Sequence, residues 1–182
     1  MTESVAPAEA GAAAITAPHQ AVPASAGATL SYRDATAADL PAIVRLLADD
    51  QIGGRADDPS EPLDPAYRAA FDAIDRDPNQ RLIVAELDRA VVGTMQLTLL
   101  PGLLNRGAWR GQIEGVRVAA DKRGQGLGAQ MIDWALAWFG AHDCFMAQLT
   151  SNNDRTRAHA FYEKLGWAKS HAGFKLYLTE TQ

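Results

Sequence analysis

The sequence predicts a mixed α/β domain of the α+β type, with six to seven mostly antiparallel strands flanked by four helices. Two observations carry that expectation. Strand-like runs follow one another at hairpin distance through the middle of the chain, and a glycine-rich turn then leads straight into an amphipathic helix. A third bounds its size: 182 residues, 47% hydrophobic and 21% charged, suffice for one domain with a substantial core.

Thr29-Leu-Ser-Tyr-Arg33 reads as the first strand. Thr36 caps a helix to about Ala48, with Leu40, Ile43, Val44 and Leu47 on one stripe. Asp49 to Asp64 is a polar loop with Gly53, Gly54, Pro59 and Pro62. Pro65 suits the first turn of a second helix, to about Ile74. Leu82–Glu86 and Ala90–Thr98 form a hairpin around Asp88-Arg89, and Trp109–Val118 is the next strand after Pro101-Gly102. A helix from Gly124 to about Phe139 carries Leu127, Met131, Ala135 and Trp138 on one face. Phe145–Thr150 is a strand, about Asp154–Leu165 a helix ended by Gly166, and Trp167–His171 and Phe174–Leu178 are short closing strands around Ala172-Gly173.

Residues 1–28 are a different material, rich in alanine and proline and poor in large hydrophobics. They bury too little apolar surface to offset the entropy of ordering, so they are expected to be a disordered tail ahead of a folded domain over 29–182. No basic segment followed by an apolar core marks a signal peptide. Trimming to about Ala26 is expected to leave the thermal stability unchanged.

Composition excludes several functions. The net charge of −5 and the lack of a Lys/Arg-rich run argue against nucleic acid, and no apolar stretch approaches bilayer length. One cysteine, Cys144, forms no disulfide within the chain, which fits a reducing cytoplasm. His19, His142, His159 and His171 show no metal-ligand spacing, so no metal is expected.

The strand Gln112-Ile-Glu-Gly-Val-Arg-Val118 flows through Ala119–Lys122 into Arg123-Gly-Gln-Gly-Leu-Gly128. A glycine-rich turn at a helix N-terminus presents unpaired N–H groups within the positive end of the helix dipole, a seat for phosphate or pyrophosphate. A dinucleotide fingerprint would end the first strand of a βαβ unit and be answered by an acid about 20 residues on. Here the next strand, to Thr150, ends without one, and no Gly-Lys-Ser/Thr makes a P-loop. A turn with no ligand is the bland alternative.

The turn Arg123–Gly128, the strand ending Val116-Arg-Val118 and the later Ala160-Phe-Tyr-Glu-Lys-Leu-Gly-Trp167 stand in the order and spacing of the GNAT superfamily of acyl-CoA N-acetyltransferases, which the chain resembles from about Leu30 to Leu178. The segments Thr150–Arg155, Ala158–Tyr162 and Ser170–Phe174 are similar to a small-molecule subgroup that includes aminoalkylphosphonate acetyltransferases. The resemblance implies acetyl-CoA as co-substrate, held at its pyrophosphate by the backbone of Arg123, Gly124, Gln125, Gly126, Leu127 and Gly128. It implies that Val116 and Val118 pair with the pantetheine arm, with the Val116 amide polarising the thioester carbonyl. Asn153, or equally Asn152, would touch pantetheine, and Tyr162 would protonate the departing thiolate.

A thiolate needs only a mild donor, and a phenol suits that role. The alternative is packing, since Tyr162 lies on the apolar stripe of Ala158, Phe161 and Leu165. For the base that frees the attacking amine, Glu114 is the candidate, on the face of Gln112, Val116 and Val118, with a water chain or an arginine-paired carboxylate as the alternatives. Some relatives carry the acid where this chain has Gln112. Cys144 has no basic partner in sequence, so an acyl-cysteine route is disfavoured.

The loop Asp49–Asp64 is acidic, a solvated loop by default and a steering surface for a cationic amine if it borders the acceptor. The expected function is acetyl transfer from acetyl-CoA to a primary amine of a small molecule by direct attack in a ternary complex. Its alternatives are a non-catalytic acyl-CoA sensor and a peptide or protein N-acetyltransferase. The sequence shows no dimer signature, though an exposed patch among Trp109, Trp134 and Trp138 would suit a homodimer.

Overall fold

The computed structural model describes residues 30–49 and 56–178. The predicted tail, Thr29 and the Gly53-Gly54 part of the acidic loop lie outside the described residues. A five-stranded sheet has the order β1 (Leu30–Asp34), β2 (Gln80–Leu87), β3 (Ala90–Leu100), β4 (Trp109–Val118), β5 (Cys144–Leu149). The first four strands are antiparallel and β5 runs parallel to β4.

Strand periodicity divides the core into two layers. Ile83 and Ala85 face one way, joining Met95, Leu97 and Ile113 under Met131, Ile132, Ala135 and Phe139 of helix α4 (Leu127–Ala141). Val84, between them, faces the other way. It packs with Leu40 and Ile43 of α1 (Leu40–Ala48) and Phe71 of α2 (Pro65–Arg76). Helices therefore cover both faces. The hydroxyl of Thr94, buried in the middle of β3, donates to the Ile83 carbonyl at 2.9 Å, so no unmet polar group is left there.

The helix starts follow the sequence signals. Thr36 opens a 3-10 turn, Ala37–Asp39, that runs directly into α1, with a reciprocal capping box between Thr36 and Asp39. Asp64 caps α2 by accepting from the Ala66 N–H at 2.8 Å, and Pro65 fills the first helical position.

Asp39 also binds Arg33 in fork geometry, at 2.7 and 2.9 Å, while Arg33 reaches Glu86 at 2.7 Å. The Arg33 hydrogen bonds hold the Asp39 carboxyl well below the usual carboxylate range, against the opposing effect of burial. A depressed folded-state value means stability that is present above about pH 4, the unfolded value, and lost as pH falls below it. Asp39→Asn is expected to cost about 2 kcal/mol at neutral pH. Urea unfolding between pH 7 and 3 checks this: the parent should weaken on acidification more steeply than the variant.

Two expectations of the sequence are corrected. The described residues hold five strands and five helices, one of them the four-residue turn Leu104–Gly107, rather than six to seven strands and four helices. The closing strands Trp167–His171 and Phe174–Leu178 do not form: the segment is extended but unpaired, with Phe174 95%, Leu176 86% and Leu178 91% exposed. Alternating apolar residues make a strand only where a neighbour completes the ladder.

Candidate active site

Strand β4 positions most of the site, and its irregularity decides how. From Glu114 to Arg117 it advances three residues while β3 advances two, from Gln96 to Thr94. The extra residue is a β-bulge around Gly115, whose φ of 60° suits glycine. The bulge changes which residues share a face. Val116 and Val118 pack against the α4 layer, whereas Gln112 and Glu114 stand with Gln148 and Gln96 on the opposite face. Glu114 therefore does not share a face with Val116 and Val118, because the sequence pattern hides the added residue.

β4 also parts from β5. Their ladder ends at Ile113 and Leu149, so beyond Ile113 the β4 backbone has no strand partner on its β5 side among the described residues. Unpaired strand edges are templates for an extended ligand. Just past the split, the Ser151 hydroxyl is buried with no hydrogen-bond partner. An acyl-CoA arm lying in the gap would meet that hydroxyl and the open β4 edge, so the chain's own residues fit such a ligand.

At the end of β4 the chain passes through a 3-10 turn, Ala120–Lys122, to the glycine turn. Gly124 and Gly126 adopt φ of 78° and 81°, with no atom within 4 Å of a Cβ added to either. α4 begins at Leu127 with no side-chain cap, and its first intrahelical donor is the Gln130 N–H, bonded to the Gly126 carbonyl. The N–H groups of Leu127, Gly128 and Ala129 are thus available to an anion, within the positive end of the dipole. The neighbouring side chains bond to the chain itself at the surface. Arg123 donates to the Val118 carbonyl at 3.0 Å and pairs with Asp49 at 2.7 Å, and Gln125 donates to the Asp121 carbonyl at 3.1 Å. The bridge to Asp49 ties the turn to the end of α1, a contact that sequence patterning does not reveal.

α5 (Thr156–Lys164) brings in Tyr162. The Phe161 ring comes within 3.4 Å of the place a Cβ on Gly128 would take, so the missing side chain lets α5 approach the start of α4. Tyr162 packs edge-on to Phe161 and Trp167, with ring centres 5.0 and 5.8 Å away. Burial raises its pKa, and the positive charges of Arg117 and Arg155 offset part of the rise.

Of the two asparagines, Asn152 is occupied in the turn before α5. Its side chain accepts from the Asp154 N–H at 2.9 Å, and its carbonyl meets the Arg155 N–H and His159 Nε2 at 3.0 Å. Asn153 is exposed beside it. His159 serves this turn. Glu114 is exposed and forms no ion pair among the described residues, so pairing with Arg110 or Arg117 does not occupy it.

Cys144 is half-buried at the start of β5, its pKa raised by burial and by Asp143, which disfavours the reactive thiolate. Among the described residues no three His, Cys, Asp or Glu side chains gather to hold a metal, and no helix is long and apolar enough to cross a membrane. Trp134 and Trp138 are engaged within the chain: Tyr32 stacks on Trp134 at 5.3 Å, and the Arg81 guanidinium lies about 5.5 Å from both indoles.

Comparison with known proteins agrees with this geometry. The acetyltransferase (GNAT) family matches over residues 40–167. An aminoalkylphosphonate N-acetyltransferase of Salmonella typhimurium is 32% identical over 109 residues, 60% of this chain and 70% of the relative. A structure from Bacillus halodurans, described as a transcriptional regulator, is 40% identical with a TM-score of 0.79, covering 82% of this chain and all of that one. An acetyltransferase of Trypanosoma brucei is 25% identical with a TM-score of 0.67, covering 82% of this chain and all of its own.

Proposed function

The chain belongs to the acetyltransferase (GNAT) family, and from that premise we propose that it moves the acetyl group of acetyl-CoA onto a primary amine of a small molecule. The observation that carries this is the meeting of three features around one gap: the open β4 edge past Ile113, the uncapped start of α4, and half-buried Tyr162. The pyrophosphate of acetyl-CoA sits on the backbone from Arg123 to Gly128, with the amides of Leu127 and Gly128 as donors. Its pantetheine arm runs along Val116 and Val118, touches Asn153 and accepts from Ser151. The thioester carbonyl takes the Val116 amide, which stabilises negative charge as the carbon becomes tetrahedral.

The amine arrives from the other face of the sheet, where Glu114 stands. Glu114 takes a proton from the ammonium, directly or through water. The free amine forms the C–N bond, the C–S bond breaks and Tyr162 gives its proton to the departing sulfur. The second proton of the nitrogen, released as the amide forms, returns through water to the tyrosinate. Cofactor and acceptor on opposite faces of the β4–β5 split are consistent with direct attack in a ternary complex.

The name of the Bacillus halodurans relative favours one second reading, an acyl-CoA-binding module without turnover. A screen of amines with acetyl-CoA, following free thiol and the acetylated product by mass, separates the two. Thiol release coupled to product supports the enzyme, and binding of acetyl-CoA with no product overturns it. In the active enzyme Glu114→Gln is expected to lower kcat/KM by about 100-fold near pH 7. An unaltered rate would assign the proton to water alone.

A further inference from the structure

The face carrying Glu114 has an unusual floor. Gln80, Thr98, Gln112 and Gln148 occupy mutually paired positions on β2, β3, β4 and β5, forming one polar row across four strands. Gln96 and Glu114 are paired in the next row. The amides bond to one another: Gln96 donates to Gln80 at 2.6 Å and Gln148 to Gln112 at 2.8 Å. The apolar layer under α1 and α2 reaches Leu82, Val84 and Val91 and includes none of this row. A helix packed over these amides would impose a desolvation cost that a polar ligand would not.

Charge gives the row a direction. Arg110 lies on the same face as Glu114, two pleats away along β4, roughly 13 Å between Cα atoms. Arg110 is half-buried, its Nη1 lies 3.4 Å from the Gln148 side-chain oxygen, and no carboxylate among the described residues lies within 4.0 Å of it. One strand thus offers a guanidinium at one end, amides between, and a carboxylate at the other.

We propose that this strip is the acceptor floor and that it selects an amine whose other end carries an oxyanion, a carboxylate, phosphate or phosphonate. The inference rests on the acetyltransferase reading above and adds the acceptor's chemistry. A guanidinium fork matches an oxyanion bidentately, and partial burial reduces its screening by solvent. The ammonium is placed at Glu114, and the amide row bonds the polar atoms between. A diamine sets a second cation against Arg110 and is rejected.

The test compares three acceptors of equal length, an ω-amino acid or aminoalkylphosphonate, an amino alcohol and a diamine, by thiol release from the full chain. The anion-bearing amine should lead the amino alcohol by about tenfold in kcat/KM, with the diamine last. Arg110→Gln should bring that ratio near one by raising the KM of the anionic acceptor while the KM for acetyl-CoA keeps its parent value. Arg110→Lys should restore part of the preference. A parent enzyme without the preference, or an Arg110→Gln loss shared equally by all acceptors, overturns the assignment. Should no amine release thiol, the enzyme reading itself fails. Calorimetry of the CoA-saturated protein then decides the strip separately: heat with the anionic amine that is lost in Arg110→Gln supports it, and no heat sinks it.

Discussion

Replacing Tyr162 with phenylalanine is expected to lower kcat by roughly 100-fold while the melting temperature stays within a few degrees of the parent. The ring contacts to Phe161 and Trp167 survive the change, so packing alone predicts little loss. In the proposed mechanism, what disappears is the proton that the leaving sulfur receives. Because burial raises the Tyr162 pKa, the hydroxyl keeps its proton through neutral and mildly alkaline pH, and its alkaline limb lies above the ordinary 10.0. The parent's rate should therefore hold into that range, and the variant should lack any limb assignable to the phenol. A variant turning over at parental rate would return Tyr162 to the hydrophobic stripe. An acyl donor with a better leaving thiolate should narrow the gap, since a weaker base leaves with less help.

Gly111 gives the largest expected effect on stability. It sits in β4 between Leu99 of β3 and Ala147 of β5, and a Cβ placed on it would run into the ring of Phe139. That ring is itself fixed in the main core layer, so neither partner gives way easily. Gly111→Ala is expected to destabilise by about 3 kcal/mol, lowering the melting temperature by roughly 6–12 °C. Phe139→Leu in the same chain should recover part of the loss, and the double-mutant cycle should show favourable coupling. Additive losses would mean that the strand shifts away from α4 instead.

Much of this architecture can be read from local signals. The caps at Thr36 and Asp64, Pro65 at the head of α2, and the Asp88-Arg89 hairpin are each set by neighbours in sequence, and the described elements follow them within a few residues. The glycine turn and α4 are legible for the same reason. What escapes depends on non-local pairing. The bulge at Gly115 is one added residue against β3, visible only when the two strands are aligned. The glutamine row needs the register of four strands at once. Phe174, Leu176 and Leu178 alternate as a strand would, yet no ladder partner is supplied among the described residues, so propensity there misleads. The pairing of Asp49 with Arg123 joins positions 74 residues apart, beyond any periodicity.

The bulge also sets how β4 tolerates change. Ahead of Gly115 even-numbered positions project toward the glutamine-lined face, and after it they project into the apolar layer, so one added residue re-phases the strand. Gain of one further residue between Glu114 and Val116 would turn Val116 and Val118 out to water and Arg117 into the apolar layer. Loss of Gly115 would instead leave plain alternation with both valines still inside. An added residue here should therefore be more damaging than the loss of Gly115, whose removal only closes the bulge.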